Sequence, residues 1–496
     1  MDQKTRILKN ITVVSFAFLL NFTAYQSLQS LQSSLNRVEG LGTAGLAVLY
    51  ASLLVSSVFL PKAIIKRIGC KWTISAALFC YTIYIGANFY ATWATIIPAS
   101  IVVGLCAAPL WTAKCTYLTE SAVVYAKMNE EKAESVINKF FGIFFMAFQS
   151  GQIWGNIISS QVLNKRSGND TEPVPESELQ FCGAAYCTER TNSSNSNLEK
   201  PPINQVYMLC GIYAACSFIS SIIIALFLDP LNQHADDKTQ PKSQPKNYDE
   251  SKDYTNMSSE LKNRRDERDV NEKTKIRIDD SVEDRSNKFK PEQLIATFKH
   301  FKHFNQVLLI PLTIFTGLEQ AFFAGDYTKS YVSCALGIFM VGYVVICFGV
   351  CDAIFSFTFG RLVKYINRWP LIAGAAALHY GILITALLWQ PRPSSLPIFF
   401  LIAGLWGMAD AVWQTQINSL YGTLFSFESE AAFSSYKLLE SIGFVMAFGY
   451  SNYLCATVKI YILIGFLTAG ILGYITIEIR PMKCCSKSEE FDVTND

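Results

Sequence analysis

Apolar residues gather into recurring runs of about 20, roughly the length that crosses a bilayer as helix. Twelve such runs predict twelve spans: roughly 8–33, 41–61, 72–91, 94–119, 138–162, 204–228, 304–325, 333–358, 370–390, 396–424, 431–455 and 458–479. Between the sixth and seventh lies a polar stretch, 231–290, with fourteen Lys or Arg and fourteen Asp or Glu. The pattern predicts an all-α polytopic membrane protein. The apolar run from Ile11 continues past Tyr25 with no small-residue cleavage site, so it reads as a span rather than a cleaved leader.

Lys and Arg in short loops mark the cytoplasmic side. With the N-terminus inside, Lys4, Arg6, Lys9, Lys62, Lys66, Arg67, Lys71, Lys127, Lys132, Lys139, Arg361, Lys364, Arg368, Arg480, Lys483 and Lys487 fall in the cytoplasm. Arg37, Lys329, Arg392 and Lys459 then occupy short outer loops. The glycosylation sequons at Asn169 and Asn192, in the 162–203 loop, fall outside, as that modification requires. Cys182 and Cys187 share the loop and are expected either to form a local disulfide or to remain two free thiols. The expected layout is a six-helix half over 1–230, a cytoplasmic linker over 231–303, a second half over 304–480 and a cytoplasmic tail over 481–496. Leu294, Phe298, Phe301 and Asn305 fall on one face of an interfacial helix or of an extension of span seven.

The chain repeats itself. Met146-Ala147-Phe148 recurs as Met446-Ala447-Phe448, and Gly104-Leu105 as Gly404-Leu405. Phe22-Thr23-Ala24 corresponds to Phe315-Thr316-Gly317, with Gln26 opposite Glu319. A parallel duplication of six helices is the layout of the major facilitator superfamily, a 6+6 pseudo-symmetric bundle. The loop FGRLVKYINRWP resembles that superfamily's signature at Gly360, Leu362 and Arg368, and the first-half loop matches at Arg67, Gly69 and Lys71. In both, lysine (Lys66 and Lys364) stands where the signature carries an aspartate. The resemblance implies that this aspartate helps latch the halves during transport, so its double replacement argues against an ordinary transport cycle.

Composition changes the picture little. Charged residues make up 17% of the 496, low for a soluble protein of this size, and the net charge of +2 comes with no basic stripe that would suit a nucleic acid. The four histidines have no nucleophile partner, and no metal cluster, phosphate loop or nucleotide fingerprint occurs, so no enzyme, cofactor or metal site is expected. Most of the fourteen cysteines fall within spans, where they act as small apolar residues; Cys484-Cys485 follow the last one as a possible palmitoylation pair.

Polar residues inside spans are the candidate site. Asp410, Gln414, Ile417 and Tyr421 share a helix face in GLWGMADAVWQTQINSLYG (404–422), and the repeat sets Lys114 opposite Gln414. An unpaired charge at bilayer depth costs about 2.5–3.5 kcal/mol on insertion scales, so Lys114 and Asp410 are candidates to pair. Gln149 and Gln152, with Asn156, lie on one face of span five; Glu319 and Gln320 lie in span seven and Asp352 in span eight. Lys114, Gln149, Gln152, Glu319, Asp410 and Gln414 therefore form the candidate cavity or ion-coupling set. The competing reading is hydrogen bonding that fixes helix register.

Four strings, GLCAAPLWTAKCTYLTE, IPLTIFTGLEQAFFAGDYTKSYVSCALG, CDAIFSFTFGRLVKY and GLWGMADAVWQTQINSLYG, resemble the UNC-ninety-three family of facilitator-like proteins, and most closely its A-type members. The resemblance implies a non-enzymatic regulatory subunit of a potassium channel at the plasma membrane, with the channel and the lipid bilayer as partners. A secondary transporter of a small solute, or an escort for membrane receptors, is the alternative.

Overall fold

The structure, a computed structural model, describes residues 2–131, 133–164, 174–187, 195–231, 303–362, 366–425 and 429–479. Asn169 and Asn192, the linker with Leu294, Phe298 and Phe301, Lys364 and the tail with its cysteine pair lie outside these residues. A helix stands on each of the twelve expected spans. They are α1 (Gln3–Leu35), α2 and α3 (together the bent helix Leu41–Ala87), α4 (Trp93–Asn129), α5 (Ala133–Val162) and α6 (Ile203–Phe227). The second set is α7 (Phe304–Ala321, running on to Leu336), α8 (Phe339–Leu362), α9 (Arg368–Leu388), α10 (Leu396–Leu424), α11 (Ser429–Tyr450) and α12 (Ala456–Ile479). Among the described residues, nine helices are long and apolar enough to cross a membrane.

Local chemistry explains the element ends. α2 passes into α3 at Gly69, whose φ of 74° would strain any residue with a Cβ. Thr92 and Thr95 bond reciprocally, each side chain taking the other's backbone N–H, and so start α4. Gly337, at φ 95°, turns the chain from α7 into α8.

Packing follows the duplication read from the sequence. α1 lies against α5 and α6, and α2 against α4; in the second set α7 lies against α11 and α12, and α8 against α10. The repeated glycines mark equivalent crossings. Gly104 of α4 meets the backbone of α2 at Leu49, and Gly404 of α10 meets Cys347 and Cys351 of α8. Small residues there let helices approach without the hydrophobic drive that water would supply.

The structure corrects three expectations. Lys329 is not in a loop: α7 continues through wide π-type turns, Phe322–Ser333, and buries Lys329 to 1% exposure. Lys459 is not in a loop either; it lies in the first turn of α12, 2% exposed, with its Nζ 2.6 Å from Asp326 Oδ1. A helix can carry Lys459 at this depth because it and Asp326 satisfy each other, a match that a hydropathy window scores only as polarity. Cys182 and Cys187 do not pair locally and are not free. Cys182 is bonded to Cys334 at the end of α7, and Cys187 to Cys455 just before α12. The segment between them lies flat on the second half, so the two thiols face different helices. Thr457 Oγ1 donates to Ala184 O (2.6 Å), the Ala456 N–H to Tyr186 O (2.9 Å) and Gln390 Nε2 to Leu179 O (3.0 Å). Asn195 and Asn197 continue the strap, donating to Cys334 O and Ala335 O at 3.0 Å each.

Candidate functional site

Asp410 is the centre of the buried polarity in α10. It is 5% exposed, and its Oδ1 accepts from Gln320 Nε2 of α7 (3.2 Å) and from Gln414 Nε2 one turn along (3.3 Å). Glu319, wholly buried, accepts from Trp406 Nε1 at 2.5 Å through Oε2. Its other oxygen meets no N–H or O–H donor, and the Asp410 carboxyl lies within electrostatic reach of Glu319. Two buried carboxyls within such reach favour binding a proton or cation.

The network extends over two further helices. Asp352 of α8 is within electrostatic reach of Asp410 and accepts from Ser356 Oγ (3.2 Å). On α11, Glu440 is ion-paired with Lys437 (2.6 Å), and the Tyr436 hydroxyl lies 3.2 Å from Glu440 Oε1 and 3.5 Å from Gln414 Oε1. Behind it, Trp413 Nε1 donates to Nδ1 of the buried His379 (3.3 Å), which leaves the ring proton on Nε2. The network thus holds four carboxyls on four helices, with the exposed Lys437 paired to Glu440.

Among the described residues, the first half adds no hydrogen bond to this network, and its Tyr50 lies only within electrostatic reach of Glu440. Lys114 is 1% exposed, but its Nζ is enclosed by rings: Phe144 at 4.2 Å, Trp111 at 4.8 Å, Phe145 at 5.0 Å and Phe141 at 5.3 Å from the centroids. Facing ring quadrupoles stabilise it in place of a carboxylate, and it forms no ion pair with Asp410. Gln149 is exposed and Gln152 half-buried beside Gly349 of α8. Asn156 Oδ1 accepts from Ser27 Oγ (3.4 Å), a register contact between α5 and α1. Of the six candidates the structure therefore brings together Glu319, Asp410 and Gln414, and separates Lys114, Gln149 and Gln152 from them. Sequence reasoning passed over Trp406 as the Glu319 donor; its place one turn before Asp410 was the available signal.

Among the described residues, hydrogen bonds between the halves gather toward the disulfide end. Ser34 meets Ser333 (2.8 Å), Thr43 donates to Asn452 (2.9 Å), Asn452 to Gly40 O (2.9 Å) and Gln161 to Tyr343 (2.9 Å).

This is the fold of the major facilitator superfamily, and solved structures share it. The chain is similar to the nucleoside transporter NupG, with a TM-score of 0.60 at 12% identity over 97% of this chain and all of that one. It is also similar to a peptide transporter POT crystallised with sulfate, with a TM-score of 0.56 at 12% identity over 97% and 98% of the two chains. At that identity the likeness shows the fold alone. Residues 38–477 match the family described as ion channel regulatory protein UNC-93, and the chain belongs to that family. It is 44% identical to protein unc-93 homolog A of Xenopus laevis, over 95% of this chain and 93% of that protein. It is 36% identical to the putative potassium channel regulatory protein unc-93 of Caenorhabditis elegans, over 96% of this chain and 61% of that one.

Proposed function

We propose that this chain is a multi-pass, non-enzymatic regulatory subunit that binds a potassium channel in the plasma membrane and sets its current or surface level. The carrying observation is family membership over most of the chain, together with the name of the nematode relative. The sequence of both signature-type loops agrees, since lysine replaces the aspartate of active facilitators. The charge distribution of the loops puts both termini in the cytoplasm, with the disulfide end and the sequons Asn169 and Asn192 outside; an oxidising exterior suits two disulfides. Phe89, Tyr90 and Trp93, all exposed on the α3–α4 turn, offer aromatic surface for a neighbouring helix.

The test is whole-cell recording of a two-pore potassium channel expressed with and without this chain, with surface channel quantified in parallel. A changed current or surface level only in the pair supports the proposal; an unchanged pair across several channels removes it.

One observation favours a second reading. Glu319 and Asp410 are two buried carboxyls within electrostatic reach of each other, an arrangement that favours binding a proton or cation, which is what a coupled transporter would load and release. In that case Asp410→Asn abolishes solute uptake in proteoliposomes while surface expression stays normal.

A further inference from the structure

Away from the carboxyl network, one buried charge lacks a counterpart. Lys329 is 1% exposed, yet among the described residues no hydrogen-bond acceptor meets its ammonium and no carboxylate comes within salt-bridge distance. Its contact is the ring of Tyr186, with the centroid 5.6 Å from Nζ. The charges within reach are Asp326, Lys459 and Arg37. Asp326 is already engaged: its Oδ1 takes Lys459 Nζ at 2.6 Å and Ser451 Oγ at 2.9 Å. Lys459 also donates to Ser451 O at 2.6 Å, so that pair is complete without Lys329.

The surroundings are those of an acceptor that is missing. Two buried cations, Lys329 and Lys459, share the one carboxylate of Asp326, and the half-buried Arg37 adds a third positive charge within electrostatic reach of Lys329, a local excess of positive charge where it is poorly screened. The Ser330 hydroxyl, next to Lys329 in the chain, and the Tyr450 hydroxyl, within reach of Asp326, are both buried without a partner. Tyr186 itself is held down from both sides, because the strap is bonded at Cys182 and Cys187 and its carbonyl takes the Ala456 N–H. Water satisfies donors but not net charge; an anion does both.

We propose that Lys329 anchors a binding site for a small anion carrying one negative charge, a halide or a short carboxylate. Tyr186 of the disulfide-bonded strap covers the site, and Arg37 and Lys459 supply the surrounding positive field. Occupancy neutralises a charge lodged between the end of α7, the start of α12 and the strap, and so stabilises that end of the molecule. The proposal is independent of the channel-regulator reading and involves none of the carboxyl-network residues.

The test uses the full-length protein in phosphatidylcholine nanodiscs, melted by intrinsic fluorescence at constant ionic strength. Sodium gluconate, whose anion is much larger than a halide or acetate, is replaced stepwise by chloride in one series and by acetate in another. A saturable rise of about 2 °C or more in Tm is expected with chloride, acetate or both. Lys329→Met is expected to lose the response and to melt above the wild type in gluconate, because the uncompensated charge is gone. Lys329→Arg keeps it. Should Lys329→Met fail to fold, Lys329→Gln is read in the same way. A wild type that responds to neither anion overturns the site, as does a methionine or glutamine variant with an undiminished response. A response to phosphatidylglycerol in the disc, with none to chloride or acetate, also overturns it and assigns the charge to a lipid headgroup.

Discussion

Asp326→Asn is the most severe single change that the charge pattern of α7 predicts. It removes the carboxylate that serves Lys459, whose side chain is 2% exposed, and among the described residues it is also the one negative charge within reach of Lys329. Breaking a buried pair from one side costs about 3–5 kcal/mol, because the surviving charge keeps its desolvation penalty. Each kcal/mol moves Tm by about 2–4 °C in domains of 150–250 residues and by less in longer chains, so a fall on the order of 5 °C is expected. Lys459→Met should cost less. It leaves Asp326 unpaired, but Lys329 lies one turn along the same helix and can swing to it. The double variant Asp326→Asn with Lys459→Met removes both charges of the pair and should melt above Asp326→Asn alone. The assay is fluorescence-detected size exclusion of the heated, detergent-solubilised protein. The reasoning fails if Asp326→Asn melts within about 1 °C of the wild type, or if the double variant is as unstable as the sum of the singles.

Three further outcomes follow from the same geometry. A protease site placed in the 232–302 linker should yield two fragments that migrate together on a non-reducing gel and separate on reduction, because both disulfides cross the cut; Cys334→Ser with Cys455→Ser should release them without reductant. Asp229, beyond the end of α6, is pushed up by partial burial, but its bonds to Arg6 (2.8 Å) and Lys9 (2.9 Å) outweigh this and hold its carboxyl well below the usual range. Its contribution is then complete above the unfolded value of about 4 and is lost as pH falls toward the folded one, so melting curves of Asp229→Asn and wild type should converge in acid. Lys114→Met should change Tm little, since the rings of Trp111 and Phe144 close equally well on an apolar chain, whereas Lys114→Glu should prevent folding; a methionine variant as damaged as the glutamate one would refute the ring-cage account.

The twelve spans were legible because each needs only an apolar run of membrane length, a property of contiguous residues. The proximity of Glu319 to Asp410 was half legible: helical spacing placed both among the buried polar groups, but it spans ninety-one positions. Lys459 was misplaced for the same reason in stronger form, while Lys329 was misplaced because α7 runs on through Phe322–Ser333 where a loop was expected. A charge reads as a loop residue until its partner is known, and Asp326 lies 133 residues from Lys459. The disulfides, with separations of 152 and 268, were out of reach of any local rule. The Lys114–Asp410 pairing failed because the repeat conveys depth in the bundle, not direction, and Lys114 points among the aromatic side chains of its own half.

These particulars bear on whether the bundle can still move. Both disulfides join the strap, a segment of the first half between α5 and α6, to α7 and to the residue before α12, so they tie the two halves together through the chain on either side of the strap. Beyond these covalent ties, the helices of the two halves meet at this end through Ser34 with Ser333, and Asn452 with Thr43 and Gly40. Such bonds contribute about 1 kcal/mol each. A few of them set a balance that a ligand or partner preferring one arrangement by a few kcal/mol would tip. The small-anion site under the strap lies beside this seam. An anion there steadies α7 and α12 against each other and against the strap, so occupancy is expected to stiffen the end of the molecule where the disulfides join the halves.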